Sequence, residues 1–318
     1  EQITPDMLDE VVTAFDEPLG NASFVPTYFL SKSARKHVKV VLTGDGADEL
    51  FGGYPTYQAP YYQNFYSWLP KSAHKLINAS INALPVSHKR ISLDFRLKQL
   101  MKGISLPYQR AHYTWREVTS QSDQGKLFQN DIWESLLPRD PFSKADFYFN
   151  KAKNLDLKNQ LMFVDMNTYL LNDHLRKVDR MSMAHSLEAR VPFLDHRMVE
   201  LAMSLPSEYK VTLFKTKKIL KSAAEKYLPK EVIYGKKKGL TSPIAGWVHT
   251  ELKDYINDNL KGGIVKEIFN GRFIQDILED HYNMKKDHSR IIWSLITLQL
   301  WGKRLESAST LPSEDIQL

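Results

Sequence analysis

Three carboxylates, Asp45, Asp48 and Glu49, crowd into the run Thr43-Gly44-Asp45-Gly46-Ala47-Asp48-Glu49-Leu50-Phe51-Gly52-Gly53-Tyr54. The preceding residues, Val38 to Thr43, are apolar and β-branched, so the run reads as a buried strand entering a two-glycine turn that opens a helix. In an open α/β sheet, ligands gather at such seams, where free backbone N–H groups face the crevice. Carboxylates there repel phosphate unless something bridges them. They suit a bridging metal ion, an amine nucleophile, or a proton to be removed. No Gly-Lys-Ser/Thr follows, so this is not a Walker A loop, and the offsets do not fit an EF-hand. A plain turn also fits, with glycines at positive φ and Asp45 or Asp48 capping the helix. Spacing alone leaves both readings standing.

Two further constellations carry charge on otherwise apolar ground. Lys177 to Ala184 leads into Leu187-Glu188-Ala189-Arg190-Val191-Pro192-Phe193-Leu194-Asp195. Asp179 with Arg180 reads best as a structural ion pair. Glu188 with Arg190 reads either as a buried pair or as the lining of a substrate pocket. The second is a basic run, Lys215, Lys217, Lys218, Lys221, Lys230, Lys236, Lys237 and Lys238, ending at the turn Gly239 to Pro243. Most of it is a solvated face, but one or two lysines beside a glycine turn can hold phosphates as point charges. A nucleic-acid patch is the competing reading. His174 reads as a packed or surface histidine, and the other nine of the ten histidines are scattered without zinc spacing.

The elements that must position these groups are mostly helical. The spacing predicts helices over 4–15 and 25–35, a long one over 155–184, and others over 197–204, 216–227, 242–259 and 287–305. Aromatic residues of 60–115 read as core packing rather than a base-stacking surface. Residues 116–152 read as polar and irregular, with a mobile stretch at 120–125. Val38–Thr43 is the one convincing buried strand. Its unpaired backbone needs partners on both sides, so further strands are expected in sequence outside this chain or in another chain. With 318 residues, 42% hydrophobic and 25% charged, the chain can bury a sizeable core. Net charge of +6 favours an anionic ligand without choosing one, and the absence of cysteine excludes disulfides and thiolate chemistry. No apolar tract approaches the roughly 20 residues of a membrane span.

Four blocks, in order, resemble the synthetase domain of glutamine-hydrolysing asparagine synthetases and its relative β-lactam synthetase. They are Asp16-Glu17-Pro18 with Ser23, Pro26, Tyr28, Leu30 and Ser31; Leu42 to Tyr54; Lys177 to Asp195; and Lys217 to Pro243. The resemblance implies a predominantly helical α/β fold. This would be part of a PP-loop ATP pyrophosphatase domain (adenine-nucleotide alpha-hydrolase-like) over 1–305, with a helical C-terminal part and a tail over 306–318. It implies that ATP activates aspartate as β-aspartyl-AMP, which ammonia then attacks. Carried over by position, Thr43, Gly44 and Lys217 would face the nucleotide, and Asp48 would hold Mg²⁺ on pyrophosphate. Tyr54, Glu188 and Arg190 would face substrate, and Lys237 would neutralise charge during adenylation. Asp45, where asparagine synthetases often carry Glu, would serve intermediate formation and ammonia attack.

The family's Ser-Gly-Gly-x-Asp-Ser loop and its N-terminal glutaminase domain are not in these residues. Asn21 stands where Asp is usual, and Leu240 where Phe is common. The chain is therefore expected to be part of a larger cytoplasmic protein with a glutaminase domain, possible as a homodimer, and inactive by itself. Neither nucleic acid nor membrane is an expected partner. The alternatives are a relative that amidates another carboxylate or closes a lactam, and a non-catalytic helical binding module.

Overall fold

The computed structural model describes residues 3–88, 93–235, 239–240 and 242–309. It is a predominantly helical α/β structure with one small parallel sheet. β1 (Val40–Leu42) pairs with β2 (Glu188–Arg190), Leu42 lying opposite Arg190. Two expectations change here. β1 has a partner within the chain, and the strand is not buried: Val38 and Val40 are exposed and Leu42 is 74% exposed. β2 is the only strand paired with β1 among the described residues, so apolar side chains chosen for a sheet interior face outward.

The largest core joins the two ends of the chain. The helices Pro5–Val12 and Phe24–Ala34 pack with Ile244–His249, Lys253–Asn259, Gly271–Tyr282 and Ser289–Ser309 around Phe15, Phe24, Trp247 and Trp293. Caps set several starts: Thr4 accepts from the N–H of Met7 at 3.3 Å, and Asn270 accepts from that of Arg272 at 3.0 Å. The helix expected over 242–259 is thus broken in two.

The long helix expected over 155–184 runs as Leu157–Asp165, Met166–Leu175 and Arg176–Met183, its middle segment wound as a π-helix. Asp156 caps its start, accepting from the N–H groups of Lys158 and Asn159 at 3.1 and 3.2 Å. Residues 116–152 are not irregular. They hold the helices Gln121–Leu127, Asn130–Leu136 and Ser143–Lys151. Ser120 caps the first, and backbone bonds from Gln129 to Ile268 and from Asn270 to Leu127 pin this region to the C-terminal part. These helices are short and mostly half-exposed, so they lack the apolar stripe that marks a helix in sequence. Of the aromatics in 60–115, Tyr66 and Trp115 are buried as expected, whereas Phe65 and Trp68 lie exposed.

Candidate active site

The turn after β1 is built on glycine. Gly46 starts the helix Ala47–Phe51 at φ +86°, and a Cβ there would lie 2.3 Å from Leu194. No side chain caps that helix, so neither Asp45 nor Asp48 serves as its cap. Asp48 instead meets Lys217, Oδ1 to Nζ 3.0 Å, with about a fifth of each side chain exposed. Gly53 permits the pair, because a Cβ at that position would come within 1.7 Å of the Asp48 carboxylate. Lys217 holds a left-handed φ of +51°, unusual for a non-glycine residue, at the start of the helix Lys218–Ala224.

Glu49 points inward and is 1% exposed. It accepts a hydrogen bond from the Tyr54 hydroxyl at 2.7 Å, and burial raises its pKa against the opposing effect of that bond. Burial also raises the pKa of the Tyr54 hydroxyl. His174 lies 3.5 Å from the Tyr54 oxygen; burial, with Lys177 and Arg116 nearby, pushes its pKa down to about 3, so it is neutral at pH 7. His174 is therefore packed in the site rather than at the surface. Tyr169, Asp173 and His174 all lie on the π-helical segment, whose wider winding displaces side chains from the ordinary helical face.

Behind this layer sits a buried ionic network. Asp165 accepts from the Tyr57 hydroxyl, from His112 at 2.9 Å and from Arg116. Burial alone would raise the pKa of Asp165, but Arg116, His112 and the hydrogen bonds together hold it low. The Arg116 guanidinium stacks over Tyr169 at 4.0 Å and over Tyr54 at 5.3 Å, tying the network to the site.

Lys177 entered the sequence reading only as the first residue of a charged block. It is 5% exposed and donates to Ser23 Oγ at 3.0 Å. Ser23 in turn donates to Asn21 Oδ1 at 2.8 Å, while Asn21 donates to Asp173 at 2.8 Å. Burial lowers the Lys177 pKa, opposed by the charges of Asp173, Asp45 and Glu49. A lysine followed by Val-Asp-Arg inside a helix looks like part of a charged face; only the tertiary fold reveals that it is buried against Ser23 and within reach of the charges of Asp173, Asp45 and Glu49. The Asp16-Glu17-Pro18 block serves the same helix from outside, Asp16 bonding Arg180 and Glu17 bonding Arg176. Arg180 thus engages Asp16 more closely than Asp179, whose carboxylate is 3.9 Å away. A cavity of about 470 Å³ opens beside this chain of bonds, lined by Asn21, Ser23, Arg116, Tyr169 and Asp173.

The remaining candidates fall in different places. Asp45 is half-buried on the turn, and Gly44 has open space where a Cβ would project. The Thr43 hydroxyl is buried with no hydrogen-bond partner, and the Thr43 N–H donates to the Arg190 carbonyl at 2.8 Å. Glu188 and Arg190 pair with each other at 2.8 Å, but both are more than half exposed, so theirs is not a buried ion pair. Lys237 lies outside the described residues.

The family model described as Asparagine synthase matches residues 1–303. This chain belongs to the asparagine synthase family. It is similar to "Asparagine synthetase [glutamine-hydrolyzing] 1" of Bacillus subtilis, 31% identical over 294 residues, covering 92% of this chain and 45% of that protein. A putative asparagine synthetase of Mycobacterium tuberculosis is 30% identical over 311 residues, covering 96% of this chain and 45% of its own length. A second putative asparagine synthetase, from Methanocaldococcus jannaschii, is 48% identical over 192 residues, 59% of this chain and 34% of that protein. The chain thus spans less than half the length of these asparagine synthase relatives. No helix among the described residues is long and apolar enough to cross a membrane.

Proposed function

We propose that this chain carries the synthetase site of an ATP-dependent, asparagine-forming amidotransferase. The observation that carries the reading is the Asp48–Lys217 pair beside the carboxylate turn, with the buried Lys177, from another part of the chain, feeling the charges of Asp45 and Glu49. Such a site can neutralise a departing polyanion and receive a proton from an amine.

In this reading the β-carboxylate of aspartate attacks the α-phosphorus of ATP and expels pyrophosphate. Ammonia then attacks the acyl carbon of β-aspartyl-AMP, AMP leaves, and Asp45 takes the surplus proton. Thr43 and Gly44 would lie along the nucleotide; an orphaned hydroxyl at Thr43 and open space at Gly44 suit that role. Asp45 and Asp48, both half-buried, would offer the hard oxygen donors that Mg²⁺ prefers. Magnesium held by Asp48 would supply charge neutralisation at the pyrophosphate. Lys217 would pass from its Asp48 contact to a phosphate, and Lys237 would join it there. Tyr54, fixed by Glu49 and neutral His174, would shape the substrate pocket, with Glu188 and Arg190 at its sheet side. We assign the ammonia supply to a glutaminase domain acting on glutamine, and the setting to the cytoplasm, with a homodimer as one assembly.

The test is the intact gene product given ATP, Mg²⁺, aspartate and ammonium, with AMP and asparagine followed by mass spectrometry. Both products should rise together. Asp48→Asn and Lys217→Ala should each lower AMP formation by about 10²–10³-fold, the usual cost of removing a charge-stabilising group. AMP formed only with another carboxylate would shift the acceptor. No AMP with any acceptor would leave a binding module.

A further inference from the structure

Three histidines that the proposed synthesis does not use converge on one another. His249 ends the helix Ile244–His249, His281 lies in the last turn of Gly271–Tyr282, and His88 follows the helix Lys71–Asn82. Each offers a ring nitrogen, and the three nitrogens lie within 4.8 Å of one another. His281 is fully buried and the other two are half-buried. This corrects the sequence reading, in which the histidines looked scattered.

The nitrogens are short of partners. Both ring nitrogens of His88, and Nδ1 of His249, are buried without a hydrogen bond. Buried polar atoms left unmatched in this way call for an explanation, such as an ion that the bare side chains await. His281 has contacts that are easily given up: its Nε2 meets the Ala245 carbonyl, and its Nδ1 accepts from the His288 N–H, each at 3.3 Å. A carboxylate stands next to it: Asp287 Oδ1 is 3.7 Å from His281 Nδ1 while also accepting from the Ser289 N–H at 2.9 Å.

We infer that His88, His249 and His281 form a binding site for a divalent transition metal of the zinc type, with the Asp287 carboxylate beside His281. Imidazole donors select zinc, cobalt, nickel or copper over magnesium, so this site is chemically distinct from the oxygen cluster at Asp48. His88 stacks on His281 with centroids 4.2 Å apart and planes 15° from parallel, so their in-plane lone pairs do not yet converge. His88, which no hydrogen bond restrains, is the ring that turns toward the metal at about 2.0–2.1 Å. Once bound, the ion clamps the segment carrying His88 to two C-terminal helices. His88 and Asp287 also line the 470 Å³ cavity, so the clamp fixes one of its walls.

The experiment uses the full chain without a histidine tag, stripped with EDTA and titrated calorimetrically with Zn²⁺; Co²⁺ absorption and thermal unfolding are read in parallel. One Zn²⁺ per chain, a raised melting temperature and the intense visible bands of four-coordinate Co²⁺ are expected. His88→Gln and His249→Gln should each weaken Zn²⁺ binding by at least the roughly 10–100-fold that loss of even an outer-shell partner costs. His196→Gln, an exposed histidine elsewhere, should leave it unchanged. The inference fails if the unaltered chain shows neither a saturable one-equivalent site nor the Co²⁺ bands. It fails equally if both variants fold and bind Zn²⁺ as before, which would mean adventitious surface sites only.

Discussion

Glu49 illustrates how one side chain can belong to both the fold and the site. It is buried to 1% exposure and accepts a hydrogen bond from the Tyr54 hydroxyl. Burial raises its folded pKa above the ordinary 4.5. For an acid with a raised folded pKa, the native state binds the proton more tightly than the unfolded chain. That contribution to stability is fully present below pH 4.5 and is lost as pH rises through the raised folded value. Glu49→Gln keeps an oxygen acceptor for Tyr54 and removes the charge. The variant should therefore gain stability relative to the parent at pH 7, and the gain should shrink as pH falls through the raised folded value toward 4.5. Urea midpoints at pH 7 and pH 4 check this. An equal difference at both values would show that Glu49 carries no native-state proton preference.

Among the elements, legibility followed local chemistry. The helix starts expected at 4 and 197 were readable from apolar periodicity, and in the structure Thr4 and Asp195 cap them. The glycine turn after β1 was readable because Gly46 takes a positive φ that other residues avoid. The helices of 116–152 were not, since long-range contacts to Ile268 and Asn270 hold them rather than an apolar stripe. Lys177 and the three histidines were invisible for a related reason, being assembled from segments far apart in the chain. The Asp165 network is the extreme case. It joins the Leu157–Asp165 helix to Tyr57, His112 and Arg116, and nothing in their spacing announces it. Asp165→Asn would leave Arg116 without its buried counter-charge and should destabilise the chain by about 3–5 kcal/mol, measured by denaturant unfolding. A loss below 1 kcal/mol would mean that Arg116 finds another partner or water.

The whole molecule carries an imbalance between its largest core and its sheet. Around Trp293 the N-terminal and C-terminal helices close on each other completely, and Trp293 itself is 0% exposed. At the sheet the opposite holds: β1 has one partner strand, and Val38, Val40 and Leu42 stand in solvent. An apolar strand with an open edge is a surface for further pairing, and natural proteins rarely leave one uncovered. The matched relatives, more than twice as long as the region they share with this chain, have residues that could supply such cover. This yields a paired prediction. In the 318-residue chain, Leu42→Lys should shift stability by no more than about 0.5 kcal/mol, as for any exposed position. In the intact gene product, if further strands flank β1, the same change would bury an unpaired ammonium against apolar neighbours and should cost several kcal/mol. Thermal unfolding of both proteins with and without the substitution decides between them. A neutral result in both would show β1 to be a true sheet edge, and the carboxylate turn that follows it would then be held by β2, Leu194 and Lys217 alone.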